Sequence, residues 1–254
     1  GISSSAAIEV ATLTAINHLY GLNLSALEVA RIGQIVENRI VGAPCGIMDQ
    51  ITAAAGQKDR ILSILCQPDR LLEMVSLPPY AKLIGIHSKV KRSTSSSAYI
   101  DARTAAFMGL TILQKSLNLD ELRDNYLCKL SVEDFRKKCW KILPAEMKGE
   151  DFLNQYGETV DTVTEVNPQK RYRVRSRVEH PIYEHARVQK FIEHIKKANE
   201  AAAETERKAS TVVRRHLMKA GKLMYASDWS YRFRVGLGSP QVHQIVMSVR
   251  KVGM

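Results

Sequence analysis

Three pieces of the sequence hold side chains that could handle a phosphorylated ligand. Gly1-Ile2-Ser3-Ser4-Ser5-Ala6-Ala7 opens a helix-forming run. Small residues let backbone N–H groups approach a phosphate. A helix N-terminus adds unpaired donors and positive potential, and hydroxyls can bond phosphate oxygens or Mg2+. A serine-rich start alone is commonly only a cap. Pro44-Cys45-Gly46-Ile47-Met48-Asp49-Gln50 sets Asp49 in the first turn of another helix. An acid there is at least a favourable dipole partner. Between a glycine-bearing turn and an apolar helix, it could also face a cleft as a proton acceptor. Glu37 falls near the C-terminal end of a helix, where the dipole disfavours a carboxylate. That position suits a counter-charge such as a metal ion, although a solvated surface Glu is the simpler alternative. Cys45 could be activated by the same helix start. No His lies within ten residues of it, and phosphoryl transfer to a hydroxyl needs no covalent intermediate, so no nucleophilic role is expected.

These residues need elements to hold them. Ala6 to Tyr20 carries Ile8, Ala11, Thr12, Ala15 and Leu19 on one helical face, closed by Gly21. Ser25-Ala26-Leu27-Glu28 is a capping box for a helix with Leu27, Ala30, Ile35 and Val36, running to about Arg39. A third helix is expected from Pro44 or Cys45 to Gly56. The period then shortens. Arg60 to Cys66 and Leu71 to Leu77 read as strands joined by Gln67-Pro68-Asp69, and Pro78-Pro79 marks a domain boundary. Lys82 to His87 has a buried-strand pattern. Helices are expected at Tyr99 to Leu117, Tyr183 to Glu206, Thr211 to Trp229 and Gln241 to Val252. Asp120 to Glu179 is polar, with little periodicity, and reads as an insertion of modest order.

The 254 residues, 45% hydrophobic and 25% charged, suit a globular protein with an ample core. The longest stretch free of Asp, Glu, Lys and Arg, Val10 to Leu27, contains Asn17, His18 and Asn23 and is no membrane span. Gly1-Ile2-Ser3-Ser4-Ser5 lacks the basic start and apolar core expected of a signal peptide, and the four cysteines lack metal-site spacing. A reducing cytoplasm is therefore expected. The net charge of +11 is uneven. Residues 1–80 hold five Lys/Arg against seven Asp/Glu, leaving the rest at +13. A basic second half suits an anionic ligand. It lacks the aromatic platforms and motifs of a nucleic-acid binder, so the expected partners are small molecules and neither nucleic acid nor membrane. A start at Gly1 with no strand before the first helix reads as the interior of a longer protein.

Taken together the motifs resemble a known family. Gly1 to Ala7 is similar to the phosphate loop of the kinase superfamily of galactokinase, homoserine kinase and mevalonate kinase, the GHMP kinases. Glu37, followed by Gly42-Ala43-Pro44-Cys45-Gly46-Ile47-Met48-Asp49-Gln50, resembles the galactokinase branch in wording and spacing. Val36 to Gly46, Cys66-Gln67-Pro68, Asp124 to Ser131 and His180-Pro181-Ile182-Tyr183-Glu184 look most like the L-arabinokinases. The resemblance implies a two-lobed α+β GHMP kinase fold. Residues 1–78 would be the C-terminal part of an S5-like N-lobe, and residues 79–254 a ferredoxin-like or helical C-lobe. It implies that Gly1, Ser3, Ser4 and Ser5 meet the ATP phosphates, that Ser5 and Glu37 hold Mg2+, and that Asp49 faces the anomeric hydroxyl of a sugar. The implied reaction is ATP-dependent phosphorylation of L-arabinose to L-arabinose 1-phosphate. Galactokinase, or an inactive nucleotide- or sugar-binding relative, is the alternative.

The departures bear on activity. The family's sugar-reading strands would precede Gly1, and its glycine-rich third motif would follow Met254. The isolated chain is therefore expected to turn over poorly. Lys91-Arg92-Ser93 stands where relatives carry Arg-His-Ser, and Arg232 and Arg234 replace small or aromatic residues.

Overall fold

A computed structural model describes residues 3–78, 81–90, 96–204 and 209–252, in two units, Gly1–Pro78 and Pro79–Met254. The first unit has α1 (Ser4–Leu19), α2 (Ala26–Val36), α3 (Met48–Ala55) and the hairpin β1 (Arg60–Cys66) and β2 (Asp69–Ser76). The capping box of α2 forms as the sequence requires. Ser25 Oγ accepts the Glu28 N–H at 3.3 Å, and Glu28 Oε2 accepts the Ser25 N–H at 2.8 Å. Past Val36 the chain stays helical as a wider π turn, Glu37–Val41, ended by Gly42. Gly42 has φ +77°, which a side chain would strain. β1 and β2 pair antiparallel with a bulge between Ser63 and Ile64. A small core forms from Ala30, Ile47 and Ile51, with Leu27, Ala54, Leu62 and Ile64 against it.

The expected apolar face of α1 is not the buried one. Ala6 and Val10 are buried, whereas Ile8 is 68% and Leu19 75% exposed. The helix packs on α2 and α3 through its smaller side chains. Small residues let helix axes approach, and here that face also carries the polar side chains described below. On α2 the buried residues are Val29, Ala30 and Gly33, and Ile35 is exposed.

The second unit is helical: α4 (Ser97–Ser116), α5 (Val132–Asp134) running into a π turn at Phe135–Cys139, α6 (Gly149–Tyr156), α7 (Val174–Ala203), α8 (Ala209–Ser230) and α9 (Pro240–Val252). The only sheet among its described residues is the two-residue antiparallel pair β3 (Met147–Lys148) and β4 (Arg171–Tyr172). The segment expected to be a loosely ordered insertion builds the main core. Leu122, Leu127, Leu130, Phe135, Cys139, Leu143, Phe152, Tyr172 and Val178 pack around Met108, Leu110 and Leu113 of α4. Its apolar residues are spaced for short turns, so no single period shows in the sequence. Helix α7 begins nine residues before the expected Tyr183 and runs through Pro181. Burial of Val174, Val178 and Ile182 in that core offsets the hydrogen bond that proline removes.

Lys82 to His87 is not a strand. Leu83, Ile84 and Ile86 are 67%, 81% and 56% exposed. An apolar run becomes a strand only where a neighbour takes its backbone hydrogen bonds, and no described residue does so here. The Lys91-Arg92-Ser93 departure lies outside the described residues. Among them, no helix is long and apolar enough to cross a membrane.

Candidate functional site

The hydroxyl-bearing start of α1 and the acid at the start of α3 are 46 residues apart in sequence and in direct contact. Ser3 Oγ donates to Asp49 Oδ2 at 2.7 Å. Ser3 precedes α1 in the left-handed region, at φ 54° and ψ 50°, a conformation a serine adopts at a cost of about 1–2 kcal/mol. Its side chain is turned to Asp49, so it does not cap the helix. The first intrahelical N–H bond at this end is Ala7 to Ser3 O, at 3.1 Å. No described residue accepts from the N–H groups of Ser4, Ser5 and Ala6, and no acidic side chain occupies the first turn. Ser4 and Ser5 are exposed. Gly1 lies outside the described residues.

Asp49 is half-buried in the first turn of α3. Its neighbour Gln50 is 1% exposed. Gln50 Nε2 donates to Glu9 Oε2 at 3.3 Å and reaches Cys45 Sγ at 3.9 Å. Glu9 sits on α1 one turn beyond Ser5, on the same helix face. Its carboxyl shares a side-chain hydrogen bond with Glu37. Desolvation first, and then that bond and the Glu37 charge, push the Glu9 carboxyl up to about 7, against the pull of Gln50. Burial beside a second carboxyl disfavours the charged form of Glu9, which is therefore partly protonated near neutrality.

Glu37 is not a solvated surface acid. The π turn draws it inward to 6% exposure, and its Oε2 has no hydrogen-bond donor. Asn38 Oδ1 and Gln50 Oε1 are likewise buried and undonated. Buried acceptors left in this state need a donor or a cation. An anionic oxygen with no partner fits a hard cation such as Mg2+, which takes one or two protein carboxylates and completes its shell with phosphate and water. Ser5 makes no hydrogen bond to Glu37 among the described residues, and no cluster of three His, Cys, Asp or Glu forms there. The structure therefore does not bring the two expected Mg2+ ligands together, and the α1 side chain that meets Glu37 is Glu9, four residues after Ser5. Burial raises the Cys45 thiol above its usual range, which keeps it protonated and suits the expectation that it is no nucleophile.

Residues 1–57 match the family model described as "GHMP kinases N terminal domain". Along 98% of its length the chain is 32% identical to the L-arabinokinase of Arabidopsis thaliana. It is 37% and 36% identical to the galactokinases of Thermococcus kodakarensis and Pyrococcus furiosus over 46% and 45% of its length. By these matches the chain is similar to the GHMP kinases. It spans about a quarter of the L-arabinokinase and about a third of each galactokinase, at 25%, 33% and 32% of their lengths. Its fold is that of the family as well. A solved galactokinase of Lactococcus lactis, complexed with galactose, superposes on 98% of this chain and 51% of its own, with a TM-score of 0.67 and 20% identity.

Glu9 and Gln50 escaped sequence reasoning. The available signal was weak: a charged residue four positions after Ser5 inside an otherwise small and apolar helix, and an amide directly after Asp49. Either pattern is ordinary on a surface helix, and only packing turns both side chains inward.

Proposed function

We propose that these residues serve an ATP-dependent sugar 1-kinase that phosphorylates the anomeric hydroxyl of L-arabinose. The observation that carries the reading is the 2.7 Å bond from Ser3 Oγ to Asp49 Oδ2. It puts an anion-accepting helix start beside a carboxylate able to take or orient a hydroxyl proton. In this reading Gly1–Pro78 is part of an N-lobe and Pro79–Met254 a C-lobe. Gly1, Ser3, Ser4 and Ser5 meet the ATP phosphates, and Ser5 and Glu37 are the ligands for Mg2+. When bound, Mg2+ neutralises charge that spreads over the transferred phosphoryl group. Asp49 holds the acceptor hydroxyl in line and receives or polarises its proton. Ser3 fixes the Asp49 carboxylate while the N–H groups of Ser4 to Ala6 hold phosphate oxygens. Four cysteines without metal-site spacing support a cytoplasmic location.

L-arabinose is favoured because the likeness to an L-arabinokinase extends over 98% of the chain, whereas the likeness to the two galactokinases covers less than half. Galactose is the second reading, supported by the galactose-bound neighbour. The test is ADP release by the native protein that carries these residues, with L-arabinose and D-galactose, beside Asp49→Asn. Turnover with L-arabinose should fall about 10²–10⁴-fold in Asp49→Asn at unchanged nucleotide affinity. Retained turnover would remove Asp49 from the chemistry. Nucleotide binding without turnover on either sugar would favour an inactive relative.

A further inference from the structure

Three helices meet at one side chain that the proposed reaction does not require for contact with substrate. Glu9 of α1 accepts from Gln50 of α3 at 3.3 Å and faces Glu37 of the π turn that extends α2. The approach depends on Gly33 of α2. A Cβ there would stand 3.3 Å from Gln50 Cγ and 3.6 Å from Glu9 Oε2, pressing on both. Gln50 is 1% and Glu37 6% exposed, and Glu37 Oε2 receives no donor. Without Glu9 nothing else in the described residues hydrogen-bonds the Glu37 carboxyl. Its orientation would then rest on packing alone, within a π turn whose backbone bonds are longer-ranged than those of an α-helix.

We propose that Glu9 is a positioning residue that fixes the Glu37 carboxylate for a divalent cation and ties it to the helix start that carries Asp49. The inference rests on the Mg2+ role given to Glu37 above. Second partners that orient a metal-binding carboxylate typically change affinity 10–100-fold when removed. Glutamine can replace Glu9 at both ends. Its Oε1 can accept from Gln50 Nε2 while its Nε2 donates to Glu37. Methionine fills nearly the same volume and can do neither.

The test is Mn2+ affinity of the native protein that carries these residues, in the presence of ADP, read by the electron paramagnetic resonance of free Mn2+. Glu9→Met, Glu9→Gln and wild type are compared, with thermal melts alongside. Glu9→Met should weaken Mn2+ about 10–100-fold, and Glu9→Gln should remain within about threefold of wild type. Equal affinity in Glu9→Met and wild type would overturn the inference and leave the Glu37 assignment standing. A Glu9→Gln variant as weak as Glu9→Met would also overturn it, since charge or direct ligation would then matter rather than orientation. Wild type that binds no Mn2+ with ADP would overturn the Glu37 assignment itself, and this inference with it. Should Glu9→Met fail to fold, Gln50→Met severs the other end of the link. Unchanged Mn2+ affinity in that variant refutes the tie to the Asp49 helix.

Discussion

His180, on the second turn of α7, makes the fold sensitive to acid. Its Nδ1 lies 3.0 Å from Ser230 Oγ, its ring meets Tyr231 edge-on at 6.2 Å, and burial holds its pKa down to about 4. Glu184 pulls the other way, but Arg187, Arg234 and Arg177 oppose protonation as well. The unfolded chain takes up the proton near pH 6.5 and the folded one only near 4. Stability must therefore fall as the pH drops below 6.5 and level off below 4. For one imidazole the loss is roughly 2 kcal/mol by pH 5 and about 3 kcal/mol at saturation. Urea unfolding, followed by circular dichroism at pH 7.5 and pH 5, measures it against His180→Gln, which cannot titrate. With a urea slope of about 1–3 kcal/mol/M, the wild-type midpoint should drop about 0.7–2 M further than that of the variant. Equal drops, or an NMR titration placing His180 near 6.5, would refute the claim that this ring is buried neutral.

Two other perturbations probe the scaffold. A methyl group at Gly109 of α4 would stand 2.1 Å from Val178 Cγ2 and 3.1 Å from Val174 Cγ1 on α7. Gly109→Ala should thus lower the melting temperature by calorimetry, because an overpacking cost of about 1–3 kcal/mol or more exceeds the ~1 kcal/mol gained in helix propensity. A raised melting temperature would mean that the two helices yield there. Asp161, with its side chain 2% exposed, accepts two bonds of 2.8 Å from Arg103 and one of 2.6 Å from Thr164. Burial raises its pKa, but Arg103 and Thr164 outweigh that and hold the carboxyl below its usual range. Asp161→Ala should cost about 3 kcal/mol in chemical denaturation, the lower end for a broken buried pair because Arg103 keeps some water. The wild-type contribution should persist above pH 4 and fade as the pH falls below it. A loss under about 1 kcal/mol would class the pair with exposed ones.

Much of the first unit could be read from residue order. The capping box at Ser25, the glycine stops at Gly42 and Gly56 and the hairpin around Gln67-Pro68 are local devices, each fixed by neighbours within four positions. Strand Lys82 to His87 failed because strand formation depends on a distant partner. The core built from 120–179 was missed for the opposite reason. Leu122, Leu127, Phe135 and Phe152 sit in short turns too brief to show a period, yet all converge on α4.

The sequence by itself determined the chemistry on offer: serines at a helix start, an acid in the first turn of another helix, and a carboxylate between them. Those follow from residue type and local spacing, which chain entropy and hydrogen bonding read within a few positions. Tertiary structure decided which of these groups meet. Ser3 and Asp49 touch across 46 residues, and Glu37 turns inward because a π turn rotates it off the surface. Glu9 and Gln50 became part of the site only because Gly33 leaves space for them between three helices. Such encounters depend on how helices pack, and packing is a sum of distant contacts that no short stretch of sequence records.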